Sequence, residues 1–252
     1  MNPWLDDLLA RAHEYLLTHP DAEPARAYLR ARGVEEAVWR AHQIGFSSSS
    51  IVIGACTKEF AEWFPKYWFS RLVFPLRSLL GKSIGLVTRP LPSEGEKRSY
   101  QQFYAYSQDV YPYLFGIDQA IETVWRTKQI VIVEGVFDYF ALAPHVPNTV
   151  AVLTAGVPNT ARRFFKRYVS RVWAALDMDS PGRMGCYRLA GLVPPEEHWP
   201  EGFKPGRPIV PEGYQVRMLS YHTGKDPGEL QQNGTITELV SKLALAKDIF
   251  QP

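Results

Sequence analysis

The 252-residue sequence has only two cysteines, Cys56 and Cys186, and they are far apart. Two cysteines cannot form a disulfide framework or a zinc site built from two cysteine pairs. His13 and His19 have a spacing close to that of zinc-finger histidines, but no cysteine pair precedes them, which favours surface residues on a helix and at its end. We therefore expect no zinc site in this chain.

Long apolar runs are also missing. Lys or Arg interrupts each candidate before it reaches the roughly 18 residues of a membrane span. The first residues, Met1 to Asp7, are acidic and do not resemble a secretory signal. We expect a cytoplasmic protein with no membrane partner.

The net charge is only +2, which does not by itself indicate a nucleic-acid-binding protein. The local distribution is more informative. Residues 162–171 carry five cations and no anion, and the stretch from Arg71 to Arg98 carries six more cations. Each stretch is compatible with a solvated face or with a polyphosphate partner.

The pattern of predicted helices and strands differs between the first and the second part of the chain. The first part predicts helices at 5–17, 23–32 and 35–42, followed by strands at 71–76 and 83–89 that are joined by a hairpin turn at 79–82. The second part predicts strands at 130–133, 149–153, 171–176 and 214–219, alternating with helices at 136–143, 160–169 and 181–191, before a closing helix at 235–250.

Strands that alternate with helices are typical of βαβ units and a largely parallel sheet. We therefore predict an α/β fold, in which a Rossmann-like domain at 128–233 follows a mixed α+β subdomain at 1–127. Residues 234–252 are predicted to form a C-terminal helix.

Acidic residues follow two of the predicted buried strands. Glu134-Gly135 ends the run Ile130–Val133, and Asp177-x-Asp179 ends the run from Val172 to Leu176. If these strands are parallel neighbours, the carboxylates meet at the sheet edge where α/β proteins bind ligands. Carboxylates this close repel each other unless a cation lies between them, and Mg2+ is the usual occupant.

Two further acids are candidates for the same site. Asp138 lies in the first turn of the helix after Glu134, where it is either a metal ligand or a carboxylate that complements the helix dipole. Asp226 follows the last predicted strand, where it is either a ligand or part of an Asp-Pro-Gly turn.

The Glu-Gly and Asp-x-Asp pattern resembles the TOPRIM fold of primases, topoisomerases and some nucleases. Other segments resemble the RNA polymerase domain of DnaG-type primases: residues 28–34 with 43–46, Arg71–Arg77 with Gly85-x-x-x-Arg89, residues 97–100, and Leu114-Phe115-Gly116 at the start of a helix. The resemblance runs from about residue 23 to residue 233 in the order of that family.

The resemblance implies synthesis of short RNA primers on single-stranded DNA from NTPs, with two Mg2+ or Mn2+ ions. It implies catalytic roles for Glu134, Asp177 and Asp179, and metal binding by these residues together with Asp138 and Asp226. It also implies a set of residues that bind nucleotide or template, with Tyr100 stacking on a base. The members of this set are Arg77, Arg89, Lys97, Arg98 and Tyr100.

The chain departs from the family pattern at several places. Ser99 stands where lysine is usual, and Gly228 stands where an aspartate is common, which would leave one metal ion less tightly held. The family's zinc ribbon and its helicase or helicase-binding domain are missing. We therefore expect either a fragment or a minimal form, as in a phage or mobile element, that relies on a replicative helicase or a separate zinc-ribbon module.

Two other functions stay open at this point. A TOPRIM nuclease could use the same metal ions to activate water, whereas a topoisomerase needs a tyrosine-bearing domain for which the chain is too short. A catalytically silent nucleic-acid-binding protein with this fold is the third candidate.

Overall fold

A computed structural model of the protein describes residues 3–48, 51, 58–92, 100–106, 112–153, 157–177, 180–190, 213–219, 221 and 224–245. The chain divides into two compact units, Met1–Ser107 and Gln108–Pro252. No helix among these residues is both long enough and apolar enough to cross a bilayer.

The first unit combines helices with an antiparallel sheet. Its described elements are α1 (Pro3–Thr18), a 3-10 helix (Pro20–Ala22), α2 (Glu23–Ala31), α3 (Glu36–His42), β1 (Gly45–Phe46), α4 (Lys58–Tyr67), β2 (Arg71–Arg77), β3 (Ser83–Pro90) and β4 (Gln101–Tyr104). The strand order is β1-β2-β3-β4, and each neighbouring pair is antiparallel. The predicted β2–β3 hairpin is confirmed, and Gly81 takes the positive φ of 74° that its turn requires.

The core of this unit contains the apolar side of α1. Leu5, Leu8 and Leu9 are buried together with Phe60 and Trp68, as the amphipathic pattern of α1 predicts. The helix α4 was not predicted, because aromatic residues are enriched in strands and Pro65 lies within its span. Phe60 of α4 is buried among aromatic rings, and its ring centroid lies 4.8 Å from those of Trp4 and Phe103.

The second unit is an α/β domain. Its described elements are α5 (Ile117–Thr127), β5 (Gln129–Val133), α6 (Val136–Leu142), β6 (Thr149–Ala151), α7 (Asn159–Tyr168), β7 (Arg171–Ala174), α8 (Ser180–Leu189), β8 (Gln215–Met218), α9 (Pro227–Gln232) and α10 (Ile236–Leu245). The strand order is β6-β5-β7-β8, and every neighbouring pair is parallel. The predicted α/β fold class with a parallel sheet is confirmed.

Two helices outside the predicted bounds of the α/β domain, 128–233, pack with the second unit, and these bounds stay a prediction. The helix α5 contacts β5 and β6, so it belongs to the second unit although the alternating texture begins only at β5. The helix α10 contacts α6 and α9, so the described part of the predicted C-terminal helix also belongs to this unit. The local pattern of strands and helices in the sequence does not indicate which segments pack together.

Candidate metal centre

The pairing of β5 with β7 brings two of the predicted acids to one edge of the parallel sheet. Ile132 is opposite Ala174 in this pair, and the Ala175 N–H donates to the Ile132 carbonyl at 2.9 Å. Glu134 and Asp177 therefore leave neighbouring strands at the carboxyl edge of the sheet, where open α/β sheets bind ligands. The Asp177 side chain is only 15% exposed.

Asp226 is the N-cap of α9, the helix that follows the last strand in sequence. Its Oδ1 accepts the Glu229 N–H at 2.7 Å, and Pro227 occupies the first helical position. The Asp-Pro-Gly sequence thus begins a helix, which places the Asp226 carboxylate at the helix N-terminus. Both interpretations of Asp226, cap and ligand, are compatible with this position.

Asp138 is buried in the first turn of α6, and its relative exposure is 7%. Its Oδ2 accepts the Gly135 N–H at 2.8 Å, which is the half of a capping box that runs from the third helical residue back to the N-cap. Its Oδ1 accepts the Gly228 N–H at 3.0 Å, from a residue 90 positions later in the chain.

The three aspartates interact electrostatically. The pKa of the Asp138 carboxyl is raised from 3.8 to about 8, first by burial and then by the negative charges of Asp226 and Asp177. The two backbone N–H groups at Asp138 act in the opposite direction and do not offset these causes. Asp138, Asp177 and Asp226 are therefore near neighbours whose like charges repel.

Two buried residues next to this cluster were not predicted. The Tyr221 hydroxyl donates to the Leu176 carbonyl at 2.9 Å, and its pKa is raised by burial and then by the charges of the three aspartates. The pKa of the Cys186 thiol is raised to about 11, mainly by burial and also by the charge of Glu134. Glu134 therefore lies near Cys186, which in turn lies near Tyr221 and the three aspartates.

A cavity of about 160 Å³ opens beside Asp177. Apolar side chains form most of its wall, and Arg183 from α8 adds a guanidinium. The lining residues described are Leu176, Asp177, Arg183, Cys186, Tyr187, Met218 and Leu219.

Lys225 is a further residue that the sequence analysis missed. Its Nζ lies 3.5 Å from Asp177 Oδ2, and its side chain is about half exposed. Its position directly before Asp226 is a signal in the sequence that could have drawn attention to it. The ammonium supplies one positive charge to one member of the cluster.

The chemistry of the donors fits a hard divalent cation. Carboxylate oxygens are the ligands that Mg2+ prefers. The pKa of Asp138 is raised first by burial and second by the charges of Asp226 and Asp177, and a cation would relieve this second cause. Among the residues for which a structure is described, no three His, Cys, Asp or Glu side chains form a ready-made metal-binding group. Asp179, the other half of the Asp-x-Asp pair, lies outside the described residues.

The predicted nucleotide-binding residues that the structure describes, Arg77, Arg89 and Tyr100, lie in the first unit. The Arg89 guanidinium stacks over the Tyr100 ring at 4.6 Å and donates to the Tyr100 hydroxyl. These two residues come directly after Thr88 and directly before Gln101, the last residues paired between β3 and β4. Arg77 donates to the Gly81 carbonyl at 3.0 Å and to Gln43 Oε1 at 2.6 Å, so it ties the hairpin turn to α3's C-cap. Lys97 and Arg98 lie outside the described residues.

The basic stretch at 162–171 belongs mainly to α7. Arg163, Lys166 and Arg167 are exposed on this helix. Arg171 begins β7 and is opposite Gln129 at the start of β5. Arg171 therefore lies at the amino end of the sheet, at the opposite end of β7 from Asp177.

Comparison with known proteins identifies the type of domain and the fold. Residues 131–231 match the family model described as Toprim-like, which covers the parallel sheet and its carboxyl edge. The fold of the chain as a whole is that of DnaG-type primase catalytic cores.

The individual similarities are to DNA primases. The DNA primase of Salmonella typhimurium is 25% identical over 242 residues, which are 86% of this chain and 38% of that protein. A DNA primase domain from Pseudomonas aeruginosa superposes with a TM-score of 0.74 and 21% identity, covering 96% of this chain and 78% of that one. A DnaG primase catalytic domain bound to ssDNA superposes with a TM-score of 0.67 and 20% sequence identity, covering 96% of this chain and 80% of that one. This chain thus spans well under half of the length of the Salmonella relative.

Proposed function

We propose that this chain synthesises short RNA primers on single-stranded DNA by nucleotidyl transfer from NTPs. The observation that carries the proposal is that the charges of Asp226 and Asp177 act on the buried Asp138 carboxyl, within a segment that matches a Toprim-like family model. The similarity to DNA primases supports the same activity and does not favour a nuclease.

Metal ions would be held at the carboxyl edge of the sheet by Glu134, Asp177, Asp179 and Asp226. When bound, two divalent ions lower the pKa of the attacking 3' hydroxyl and neutralise the triphosphate. Glu134 would orient a metal ion or accept the proton of the 3' hydroxyl, because its side chain is only partly buried at the end of the strand. Asp177 and Asp226 would supply carboxylate oxygens from two different loops.

Cationic side chains would position the other parts of the substrates. Arg89, Lys97 and Arg98 would contact the triphosphate or the template backbone through charge-assisted hydrogen bonds. Tyr100 offers a ring for base stacking, and the contact with Arg89 fixes its orientation. Arg77, which the resemblance implies as a template contact, would support the hairpin through its hydrogen bonds to Gly81 and Gln43.

Partners follow from the same proposal. A single-stranded template is supported by the relative whose catalytic domain was solved with ssDNA. A replicative helicase and a separate zinc-ribbon module would supply template delivery and reading. A location in the cytoplasm would match this role.

One assay separates the proposed activity from its closest alternative. The protein is incubated with single-stranded DNA, labelled NTPs and Mg2+ or Mn2+, on a panel of template sequences. A primase extends labelled oligonucleotides and leaves the DNA intact, whereas a nuclease shortens the DNA with or without NTPs. Shortening of the DNA without any NTP incorporation would contradict the proposal.

A further inference from the structure

Asp138 contacts two segments that each carry a candidate metal ligand. Its Oδ2 accepts the N–H of Gly135, the residue directly after Glu134. Its Oδ1 accepts the N–H of Gly228, two residues after Asp226. A single buried carboxylate therefore lies between the β5–α6 loop and the first turn of α9.

These bonds complete the hydrogen bonding at the start of α9. The first N–H groups of a helix have no partner within the helix. In α9 the first position is Pro227, which has no N–H, the Gly228 N–H donates to Asp138, and the Glu229 N–H donates to Asp226. Because α9 has only six residues, its orientation depends strongly on these end contacts.

The same carboxylate also caps α6. Asp138 is the third residue of that helix and accepts the N–H of its N-cap, Gly135. The direction in which the chain leaves β5, and hence the place of Glu134, is thereby tied to α6. Loss of Asp138 would leave one amide unpaired in each of the two segments.

We propose that Asp138 is a positioning residue, which fixes the separation of Glu134 and Asp226 by linking Gly135 to Gly228, and that it is not itself a metal ligand. This inference rests on the proposed metal centre and assigns Asp138 a role different from the one implied by the family resemblance. Gly228 contributes its backbone N–H to this link, a donor that any residue except proline would supply at this position.

Each oxygen of Asp138 accepts one N–H and keeps a second lone pair, which could still bind a metal ion. The test therefore measures amide exchange and ion binding together. Amide hydrogen exchange of Gly135 and Gly228 is followed by NMR in the wild type, Asp138→Asn and Asp138→Ala. Mn2+ affinity of the same proteins is measured by electron paramagnetic resonance. Asp177→Asn serves as the ligand-removal variant, and Glu122→Gln, an exposed acid on α5, serves as the charge control.

We expect both amides to exchange faster in Asp138→Ala, on the order of tenfold or more for a lost hydrogen bond to a carboxylate. Asp138→Asn retains one acceptor oxygen, so it should show a smaller effect on the amides and retain part of the Mn2+ affinity. Asp177→Asn should weaken Mn2+ binding while both amides stay protected, and Glu122→Gln should change neither.

Two results would overturn the inference. One is a Gly228 amide that stays protected in Asp138→Ala; the other is an Asp138→Asn protein that loses Mn2+ binding as completely as Asp177→Asn does. If instead Asp177→Asn binds Mn2+ normally, the proposed metal centre fails, and the amides still decide whether Asp138 links the two segments. Should the Asp138 variants not fold, the wild type provides the test, because a Gly228 amide that loses protection when Mg2+ binds would show Asp138 moving to the metal.

Discussion

The raised pKa of Asp138 predicts how the stability of the metal-free protein depends on pH. The folded-state pKa of about 8 exceeds the ordinary value of 3.8, so between these values the folded chain keeps a proton that the unfolded chain releases. The contribution of Asp138 to stability is thus complete below about pH 4 and is lost as the pH rises towards 8. One proton corresponds to at most about 1.4 kcal/mol of unfolding free energy per pH unit.

The perturbation is Asp138→Asn, whose side chain cannot ionise. We expect the unfolding free energy of the wild type in EDTA to fall from pH 5 to pH 8, and that of the variant to change much less over the same range. The variant also loses part of a hydrogen-bonded pair at every pH, which costs about 1–3 kcal/mol. Urea unfolding at pH 5, 6, 7 and 8 measures both effects.

Mg2+ extends the same prediction. A cation that neutralises Asp177 and Asp226 removes two causes of the raised pKa, so Mg2+ should stabilise the wild type more at pH 8 than at pH 5. Equal pH slopes for the wild type and Asp138→Asn in EDTA would refute the reasoning, because the variant lacks the ionisable side chain to which the slope is assigned.

Three other substitutions test separate parts of the structure. Gly116→Ala should lower the unfolding free energy by more than about 1 kcal/mol, because Gly116 has a φ of 80° and an added Cβ would collide with the Tyr139 ring; urea unfolding at wild-type stability would contradict this. Lys225→Gln should raise Mg2+ affinity in calorimetry by up to about fivefold, since it removes a half-exposed cation 3.5 Å from Asp177; weaker binding would count against the placement of Lys225. Tyr221→Phe should cost about 1–3 kcal/mol in urea unfolding through an unpaired buried carbonyl, and no loss would mean that water replaces the hydroxyl.

The parallel sheet and the positions of its acids were predictable because the signal is local. Short apolar runs that end in Glu134 and Asp177 indicate buried strands, and the alternation with helices indicates their parallel pairing. The pairing of β5 with β7 follows that expectation. The metal roles of the acids stay predictions.

Other features depend on contacts between distant segments and have no local signal. The bond from Gly228 to Asp138 joins residues 90 positions apart, and nothing near either residue in the sequence indicates it. The helix α4 was missed because aromatic residues are enriched in strands and Pro65 lies within its span. Arg77 was grouped with the template-binding residues by the resemblance, whereas its described partners are Gln43 and Gly81.

The central claim is that acids from separate strand ends converge on divalent cations. A crystal structure of the wild type soaked in Mn2+, with the anomalous signal of the metal, tests it most directly. The account predicts Mn2+ within roughly 2–2.5 Å of oxygens from Asp177 and from Glu134 or Asp226, the distances typical of such ions with carboxylates. Mn2+ bound elsewhere on the chain, with no peak at these side chains at saturating concentration, would contradict the account.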